Sequence, residues 1–389
     1  MSEIKVNSIK GVGASTAAIT VNNTDGTCTA NITNNLSNRN LIINGAMQVA
    51  QRGTSSTSTG YQTVDRFHPF HTGTDEAPTY AQVDVASGTT PYTLGFRKAF
   101  KITNGNQTSG AGAADAIEIL YRNEAQNIAN SGWNYTSASS FITLSYWVKS
   151  SVAQNFFGHI QSHDGTSQNY PFETGSLTAD TWTKITKTIP GNSNLTFDND
   201  NNSGFTIKLL AFRGTNTTGS VSLNAWAAYN GAARTPDNTS TWYTTNDATL
   251  ELTGFQLEVS DHATDFEHRA FGQELALCQR YYAKYQGTAY SIFIVTTGYG
   301  SNETDSRGVF NFITEMRTNS PSFTYSSSSH FQDMSGKQLN IFQLADSGAT
   351  TKYAGIRTIF SQSFADQGKS YVIRGANTTS AYFAFDSEL

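Results

Sequence analysis

The chain has 389 residues, of which 14% are charged and 12% aromatic, and its formal net charge is −5. Average soluble domains carry roughly 25% charged residues, whereas Asn, Thr, Ser and Gly take that share here. The length predicts about two or three domains with a sizeable core. The negative charge, without a cluster of Lys and Arg, argues against nucleic acid as a partner. No run of about 18 apolar residues occurs, so we expect no membrane insertion.

Short β-branched and aromatic runs are separated by Gly, Asn and Ser, which is typical of many-stranded antiparallel folds. The N-terminal stretch MSEIKVNSIK has no apolar core of a signal peptide, so we expect no Sec-dependent export. Cys28 and Cys278 lie far apart and outside any CxxC motif. This spacing favours two free, buried thiols over a disulfide.

Residues 1–39 predict an extended N-terminal arm. Apolar side chains alternate there around a centre rich in Gly, Ala and Ser, and no apolar stripe is long enough to bury itself. The arm therefore needs copies of itself or a docking surface as a partner, and a disordered leader is the alternative. The candidate attachment residues are Ile4, Val6, Ile9, Ile19 and Val21.

Residues 40–270 predict a first β domain of the sandwich type. The domain opens with the buried apolar run Asn40–Gly45, which ends in an Asn-Gly turn signal. Apolar residues of one parity then recur with turn signals between them and without a helical stripe. Half-buried strands are predicted in this way over residues 92–103, 117–121, 142–148 and 205–209.

The last strand of this domain changes parity. Leu250 and Leu252 occupy even positions, whereas Phe255 and Leu257 occupy odd ones. A slip of one residue would turn half of the apolar side chains to solvent. We therefore predict a β-bulge at Thr253-Gly254, where glycine supplies the unusual dihedral angle.

Residues 271–389 predict a short helix followed by a smaller antiparallel β domain. Seven strand-like runs with Gly, Asn and Ser turns follow the helix. The helix is predicted from spacings of three and four residues. Its apolar stripe is Phe271, Leu275, Cys278, Tyr282 and Tyr285.

The densest group of carboxylates lies at the junction of the two domains, at Glu251, Glu258, Asp261, Asp265 and Glu267. A glycosidase needs two carboxylates separated by about 5 Å or 6.5–9.5 Å, and the sequence does not place such a pair. Arg269 and Arg280 lie nearby, so ion pairs that hold the junction are the favoured interpretation. We identify no catalytic residue and expect no enzyme activity.

Histidines occur in pairs only at His68/His71 and His159/His163. Residues i and i+4 of a strand lie roughly 13 Å apart, too far to share a zinc ion, and no Cys or Glu completes a ligand set. We therefore predict no metal site and no cofactor.

Aromatic side chains in a loop are the candidates for contacting a ligand. Loop aromatics beside Asn and Asp suit stacking on sugar faces, with hydrogen bonds to the hydroxyl groups. The alternative is that they fill the edge of the sandwich or a subunit interface. The candidate carbohydrate-binding residues are Trp226, Tyr229, Trp242 and Tyr243.

Several ordered blocks resemble known families. The opening Asn40–Gly45 is similar to that of carbohydrate-binding-module jelly rolls, and the blocks NLIINGAMQVAQRG, YQTVDRF, LSYWVKSS and GFQLEVSDHATDFEHR resemble a domain of phage tail-fibre and virion structural proteins. ALCQRYYAKY and the end FDSEL resemble the C-terminal domain of phage fibre and receptor-binding proteins. The leader beginning MSEI is similar to those of structural proteins from phages of marine cyanobacteria.

The resemblance implies an all-β protein with a jelly-roll β-sandwich, a smaller C-terminal β domain and an extended arm. It also implies a homotrimeric tail fibre on the outer surface of the virion, which attaches through its N-terminus and binds host cell-surface glycans. The protein would be made in the host cytoplasm and released by lysis. The alternatives are a capsid or tail decoration protein with a structural role and, third, a polysaccharide depolymerase.

Overall fold

The computed structural model describes residues 6–10, 12, 19–21, 24, 28–30, 38–298, 304–361 and 368–389. Almost all regular structure in these ranges is antiparallel β-sheet, so the all-β prediction is confirmed. No helix in the described part of the chain is long and apolar enough to cross a membrane.

The arm contains three short strands that pair in chain order. They are β1 (Ser8–Ile9), β2 (Ile19–Val21) and β3 (Cys28–Ala30). Among the candidate attachment residues, Val6 and Ile9 are exposed, and Ile19 and Val21 are half-buried. Ile4 lies outside the described residues, and attachment through this segment stays a prediction.

Twelve strands build the sandwich, with three short helices between them. The strands are β4 (Ser55–Ser56), β5 (Phe67–Thr72), β6 (Thr79–Asp84), β7 (Lys98–Thr103), β8 (Ala116–Glu124), β9 (Phe141–Ser150), β10 (Asn155–Ser162), β11 (Gln168–Ser176), β12 (Thr183–Pro190), β13 (Ser203–Arg213), β14 (Ala227–Ala228) and β15 (Thr249–Glu258). The helices are α1 (Thr90–Thr93), α2 (Ala125–Ala129) and α3 (Thr241–Thr244).

These strands form two six-stranded sheets. The front sheet has the order β12-β9-β15-β7-β6-β4, and the back sheet has the order β14-β11-β10-β13-β8-β5. Alternate side chains of both sheets point into one hydrophobic core. In its centre the rings of Tyr146 and Phe255 stack 4.8 Å apart, which joins β9 to β15.

The predicted strands over residues 117–121, 142–148 and 205–209 are confirmed. The strand predicted over 92–103 begins only at Lys98. Pro91 lies in the first turn of α1, where its fixed φ favours a helical turn, and this turn takes the place of the strand start. Leu94, within the range predicted as a strand, is therefore 50% exposed.

The predicted bulge is present at the parity change. The register of β15 with β9 shifts between Thr253 and Gln256. Gly254 has a φ of +67°, which a residue with a side chain rarely adopts. Because of this bulge, Leu250 and Leu257 both reach the same core.

The second β unit follows α4 (Phe271–Gln279) and has a core of its own. Its strands are β16 (Tyr282–Gln286), β17 (Ile292–Gly298), β18 (Asp305–Asn311), β19 (Ser322–Tyr325), β20 (Phe331–Asp333), β21 (Leu339–Ala349), β22 (Tyr353–Phe360), β23 (Ser370–Gly375) and β24 (Tyr382–Asp386). They form a three-stranded sheet, β16-β24-β19, and a six-stranded sheet, β20-β23-β17-β18-β22-β21.

The predicted helix over Phe271 to Tyr285 is too long. It ends at Gln279, and Tyr282 and Tyr285 belong to β16, which pairs with β24. Apolar residues keep the three- and four-residue spacing beyond the end of the helix only by coincidence. The conformation there is decided by backbone hydrogen bonds to β24, about 100 residues further along the chain. Cys278 is a buried free thiol, as predicted, while the side chain of Cys28 lies outside the described residues.

Buried charges join the two β units. Arg66 is 1% exposed, and its guanidinium pairs with the carboxylate of Glu388 and lies 3.4 Å from the centre of the Tyr281 ring. The carboxylate of Glu124 accepts two hydrogen bonds of 2.8 Å from Arg280. The start and the end of the second unit are thus both held against the back sheet by paired charges.

Glu267 joins the start and the end of the sandwich. Its carboxylate accepts hydrogen bonds from the backbone N–H groups of Asn38, at 2.5 Å, and Asn40, at 2.7 Å. Its own N–H donates to the side chain of Gln256 at 2.8 Å. We call this arrangement the Glu267 clasp.

Replacing Glu267 by Ala is expected to destabilise the protein by about 3 kcal/mol, because two hydrogen bonds to a charged acceptor are lost and the buried N–H group of Asn40 is left unpaired. Urea denaturation measures this change. Asp261→Ala is the matched control, since that carboxylate is 73% exposed. Equal stability of the two variants would contradict a structural role for Glu267.

Candidate functional site

Two of the four predicted sugar-binding aromatics are core residues. Trp242 and Tyr243 lie on α3 and are 0% and 1% exposed. The indole N–H of Trp242 donates to the carbonyl of Thr249 at 3.0 Å, and the Tyr243 hydroxyl donates to Asp115 at 2.9 Å. A sugar has no access to either ring, so this part of the prediction is wrong.

The other two aromatics lie at the edge of the sandwich. Trp226 is half-buried, donates its indole N–H to the carbonyl of Pro190 at 2.7 Å and packs 5.2 Å from the ring of Tyr170. It closes the edge of the core, which is the alternative considered from the sequence. Tyr229 is half-buried, with the guanidinium of Arg234 5.7 Å from its ring centre, and its role in binding stays a prediction.

The acidic cluster at the junction forms structural contacts. The carboxylate of Glu258 accepts hydrogen bonds from the backbone and hydroxyl of Thr264, at 2.9 and 2.7 Å, and Glu251 pairs with Lys149 at 3.0 Å. Arg269 lies 3.5 Å from Glu267, as expected, whereas Arg280 pairs with Glu124 outside the cluster. Protein donors therefore already engage the two buried carboxylates of the cluster, Glu258 and Glu267.

The paired histidines do not converge on a metal ligand set. His159 is completely buried and hydrogen-bonded through Nδ1 to Asn169 at 2.7 Å, and His163 bonds the hydroxyl of Thr206 at 2.6 Å. Across the described ranges no three His, Cys, Asp or Glu side chains form a group that could hold a metal ion.

An aromatic cleft of about 290 Å³ opens on the outer face of the front sheet. Its floor is Trp147 of β9, and its wall is formed by Phe96, Phe266 and His268. The ring centres of Phe96 and Phe266 are 4.8 Å apart, and that of His268 lies 5.1 Å from Phe96. Three rings thus form one aromatic wall beside a partly exposed indole.

The Glu267 clasp places two of these rings. In the extended segment that crosses the front sheet, Phe266 and His268 flank Glu267 on either side in sequence. Glu267 is held against Asn38 and Asn40, and the neighbours on either side line the cleft. The ring of His268 is fixed further by donating Nε2–H to the carbonyl of Leu94 at 2.8 Å.

Gly254 makes room for the cleft. A Cβ atom at this position would lie 2.8 Å from Cζ of Phe96 and 3.1 Å from Cδ1 of Trp147. The bulge that corrects the parity of β15 therefore also brings the backbone close to both rings without a side chain between them.

Polar groups without protein partners line the rim of the cleft. The indole N–H of Trp147, the ammonium of Lys184 and the carboxylate of Asp265 make no hydrogen bond or ion pair with any residue that the structure describes. Lys184 is the cross-strand neighbour of Trp147 in the register of β12 with β9. The cleft thus combines apolar ring faces with donors and an acceptor that are free to bind a ligand.

More aromatic surface continues beside the cleft. Tyr92 and Trp182 are half-buried and pack with Trp147 and Phe266 around a small cluster on the outside of the front sheet. This cluster is separate from the sandwich core. An outer sheet face normally carries polar residues, so a group of partly exposed rings here indicates a contact surface.

The sequence carries one signal for this site, and it lies in a strand rather than in a loop. Ile142, Leu144 and Tyr146 share the core-facing parity of β9, which puts Trp147 on the solvent face. A large aromatic residue at an outward position of a regular strand is a stronger indication of binding than an aromatic residue in a long loop. Phe266 and His268 carried no such pattern, because their segment has no regular structure.

A larger cleft of about 520 Å³ lies where the arm enters the sandwich. Amide, arginine and aliphatic side chains line it, among them Asn40, Gln126 and Arg269, and it contains no aromatic ring. It lacks the combination of ring faces and free polar groups seen in the smaller cleft.

Known structures resemble this chain only distantly. No family profile and no curated protein sequence matches it. The N-terminal cellulose-binding domain of glucanase C from Cellulomonas fimi aligns over 55% of this chain and 98% of its own length, with 11% identity and a TM-score of 0.27. The family 11 carbohydrate-binding module of Clostridium thermocellum aligns over 55% and 98%, with 10% identity and a TM-score of 0.25.

The enzymatically active domain of tailspike protein 4 from bacteriophage CBA120 aligns over 57% of this chain, with 9% identity and a TM-score of 0.30. The alignment covers 21% of that tailspike domain. Likeness at these identities and TM-scores says nothing about what this chain binds.

Gly254→Ala is expected to destabilise the protein by more than the roughly 1–2 kcal/mol that a left-handed backbone costs a residue with a Cβ, because the methyl group also collides with Phe96. Gly88→Ala is the control, since Gly88 has a φ of +84° and no atom within 4 Å of an added Cβ. Urea denaturation compares the two variants, and equal losses would show that the Phe96 contact adds nothing.

The buried His159 predicts a loss of stability in acid. Burial lowers the pKa of His159 well below its usual value, and the charge of Lys208 acts in the same direction. The unfolded state therefore takes up the proton first, so stability is present above a pH of about 6.5 and falls below it. Denaturation at pH 6.5 and pH 5 is expected to show a smaller difference for His159→Gln than for the wild type. An unchanged difference would contradict this assignment.

Proposed function

We propose that this protein binds carbohydrate through the aromatic cleft on the front sheet. The observation that supports this best is the combination of the partly exposed Trp147 with the ring wall of Phe96 and Phe266, surrounded by unpartnered polar groups. Sugars present one apolar face of C–H groups and a rim of hydroxyls. Aromatic rings with a few placed polar groups match this chemistry.

Each part of the cleft has a role in this proposal. A sugar ring stacks on the indole of Trp147, and its hydroxyls bond to the indole N–H, to Lys184 and to Asp265. Tyr92 and Trp182 extend the contact surface to neighbouring sugar units of a chain. The ring wall is held by packing and by the Glu267 clasp, so binding does not require the site to be ordered first.

We propose binding rather than hydrolysis as the activity. Protein donors already engage the buried carboxylates Glu258 and Glu267, and the cleft itself is lined by one carboxylate, that of Asp265. A glycosidase of the usual kind needs two carboxylates facing one sugar.

In biological terms, we propose that the protein is a tail fibre or receptor-binding protein of a phage, placed on the outer surface of the virion. It would form a homotrimer, attach to other virion proteins through the arm and recognise host surface glycans through the front sheet. The sequence resemblance and the exposure of Val6 and Ile9, which leaves them free to contact a partner, support this proposal.

Trp147→Ala is expected to weaken glycan binding about tenfold or more, because the main stacking surface is lost. A glycan array identifies a bound glycan for the wild type, and isothermal titration calorimetry then gives the affinity of each variant for it. Tyr353→Ala, which removes an exposed ring of the second β unit, is the matched control. A folded Trp147→Ala protein with wild-type affinity would overturn the assignment of this cleft, as would an array without any bound glycan.

A further inference from the structure

The outer face of the back sheet carries a row of polar side chains that the proposed function does not use. Paired residues of neighbouring antiparallel strands point to the same side of a sheet. Lys208 of β13 pairs with His159 of β10 and with Leu120 of β8, and Thr206 pairs with Arg122 of β8. These register pairs put Lys208, His159 and Arg122 on one face, opposite to the core-facing Ile207.

Two more arginines reach this face from the end of β13 and the loop that follows. Arg213 and Arg234 lie close enough to Lys208 for their charges to lower its pKa, although burial is the larger cause and brings this pKa to about 8. Arg122 acts on Lys208 in the same way. A protein with a net charge of −5 thus gathers four cations on one surface.

One carboxylate, Glu118, lies among these cations, and it is already paired. Glu118 is buried and forms an ion pair with Arg213. Glu173, on β11 of this sheet, bonds to the side chain of Asn155 at 2.7 Å. Lys208 and Arg234 make no ion pair with a carboxylate in the described ranges of the chain, and the Lys208 ammonium makes no hydrogen bond there either. The guanidinium of Arg122, by contrast, already donates to Leu389 at 3.0 Å and to the hydroxyl of Tyr61 at 3.2 Å.

His159 adds an unpartnered, fully buried polar atom at the same place. The side-chain N–H₂ of Asn169 donates to the carbonyl of Arg234, so the oxygen of Asn169 accepts from Nδ1–H of His159. The neutral ring therefore presents Nε2 as a bare acceptor, and this atom has no hydrogen-bond partner. The ring is completely buried, so a ligand does not reach this acceptor directly.

We propose that this outer face of the back sheet is a second ligand site, which binds an anionic saccharide. A carboxylate or sulfate of the sugar lies between Lys208 and Arg234, and the sugar ring packs against Tyr229 beside them. Unpaired cations that are held close together are costly unless an anion is bound, which is the physical reason for this ligand class. The ring of Tyr229 next to these cations favours a sugar over a simple anion.

The site is independent of the aromatic cleft, because the two lie on opposite sheets of the sandwich. Tyr229, the one remaining sequence-predicted aromatic, packs beside Arg234 and would contact the same saccharide. The second site can therefore be tested separately from the aromatic cleft that contains Trp147.

The test measures binding of the full chain to polygalacturonate, which carries carboxylates, and to dextran sulfate, which carries sulfates, with unsulfated dextran as the neutral comparison. The wild type is expected to bind at least one acidic polymer, more weakly as salt is raised. Lys208→Gln is expected to weaken that binding about tenfold, since a charge-assisted contact is lost. Lys98→Gln, which removes a surface lysine of the front sheet, and Trp147→Ala are expected to bind the acidic polymer like the wild type.

Three results would overturn the proposal: neither acidic polymer binds at low salt, Lys208→Gln binds as well as the wild type, or short single-stranded DNA competes at the affinity of the polysaccharide. The last result would identify a general polyanion surface. If Lys208→Gln does not fold, Arg234→Gln serves as the second variant, with the same expected loss. Loss of acidic-polymer binding only in Trp147→Ala would assign that ligand to the aromatic cleft and also overturn the second site.

Discussion

The Glu267 clasp is the interaction on which the candidate site depends. One carboxylate satisfies the backbone N–H groups of Asn38 and Asn40, and the same residue is tied to β15 through Gln256. Hydrogen bonds to a buried charge are among the stronger polar contacts in proteins. The clasp therefore holds the irregular segment after β15 across the front sheet, with Phe266 and His268 beside Trp147. The packing of Phe266 on Phe96 and the hydrogen bond of His268 to Leu94 then fix the two rings further.

Around the aromatic cleft, the same residues stabilise the fold and shape the proposed binding surface. The bulge at Gly254 keeps the apolar side chains of β15 in the core, and its bare Cα also lets Phe96 and Trp147 approach. In the sequence, the acidic cluster at the junction is the group of residues most suggestive of catalysis. In the structure, Glu258 and Glu267 of this cluster hold β15 and the segment after it in place. Glu258 and Glu267 of this cluster are buried and engaged, whereas Asp265 lies on the rim of the cleft and is free for a ligand.

The two faces of the sandwich differ in chemistry. The front sheet exposes aromatic rings with a few polar groups, whereas the outer face of the back sheet carries cations around one paired carboxylate, with the imidazole of His159 buried among them. The second β unit packs against the Arg66 end of the back sheet through buried ion pairs. Both proposed surfaces thus belong to the sandwich.

Local sequence patterns were sufficient to predict most strands and the bulge, because the alternation of apolar residues follows directly from the geometry of a pleated strand. Local patterns failed for the end of α4, where pairing with β24 outweighs the helical spacing, and for Trp242 and Tyr243. Their loop looked exposed because it is rich in Asn and Thr, yet it folds a short helix into the core. Patterns of neighbouring residues in the sequence do not predict that a helix within a loop packs into the core.

The sequence by itself determined the all-β class, the order of most strands and the position of the bulge, because these depend on residues next to one another in the chain. Only the tertiary structure decided which aromatics are accessible and which charges are paired. The cleft joins Phe96, Trp147 and Phe266, and the cation row joins Arg122, Lys208 and Arg234. Each set comes from distant segments whose pairing is set by sheet register, and register depends on the burial of the whole core.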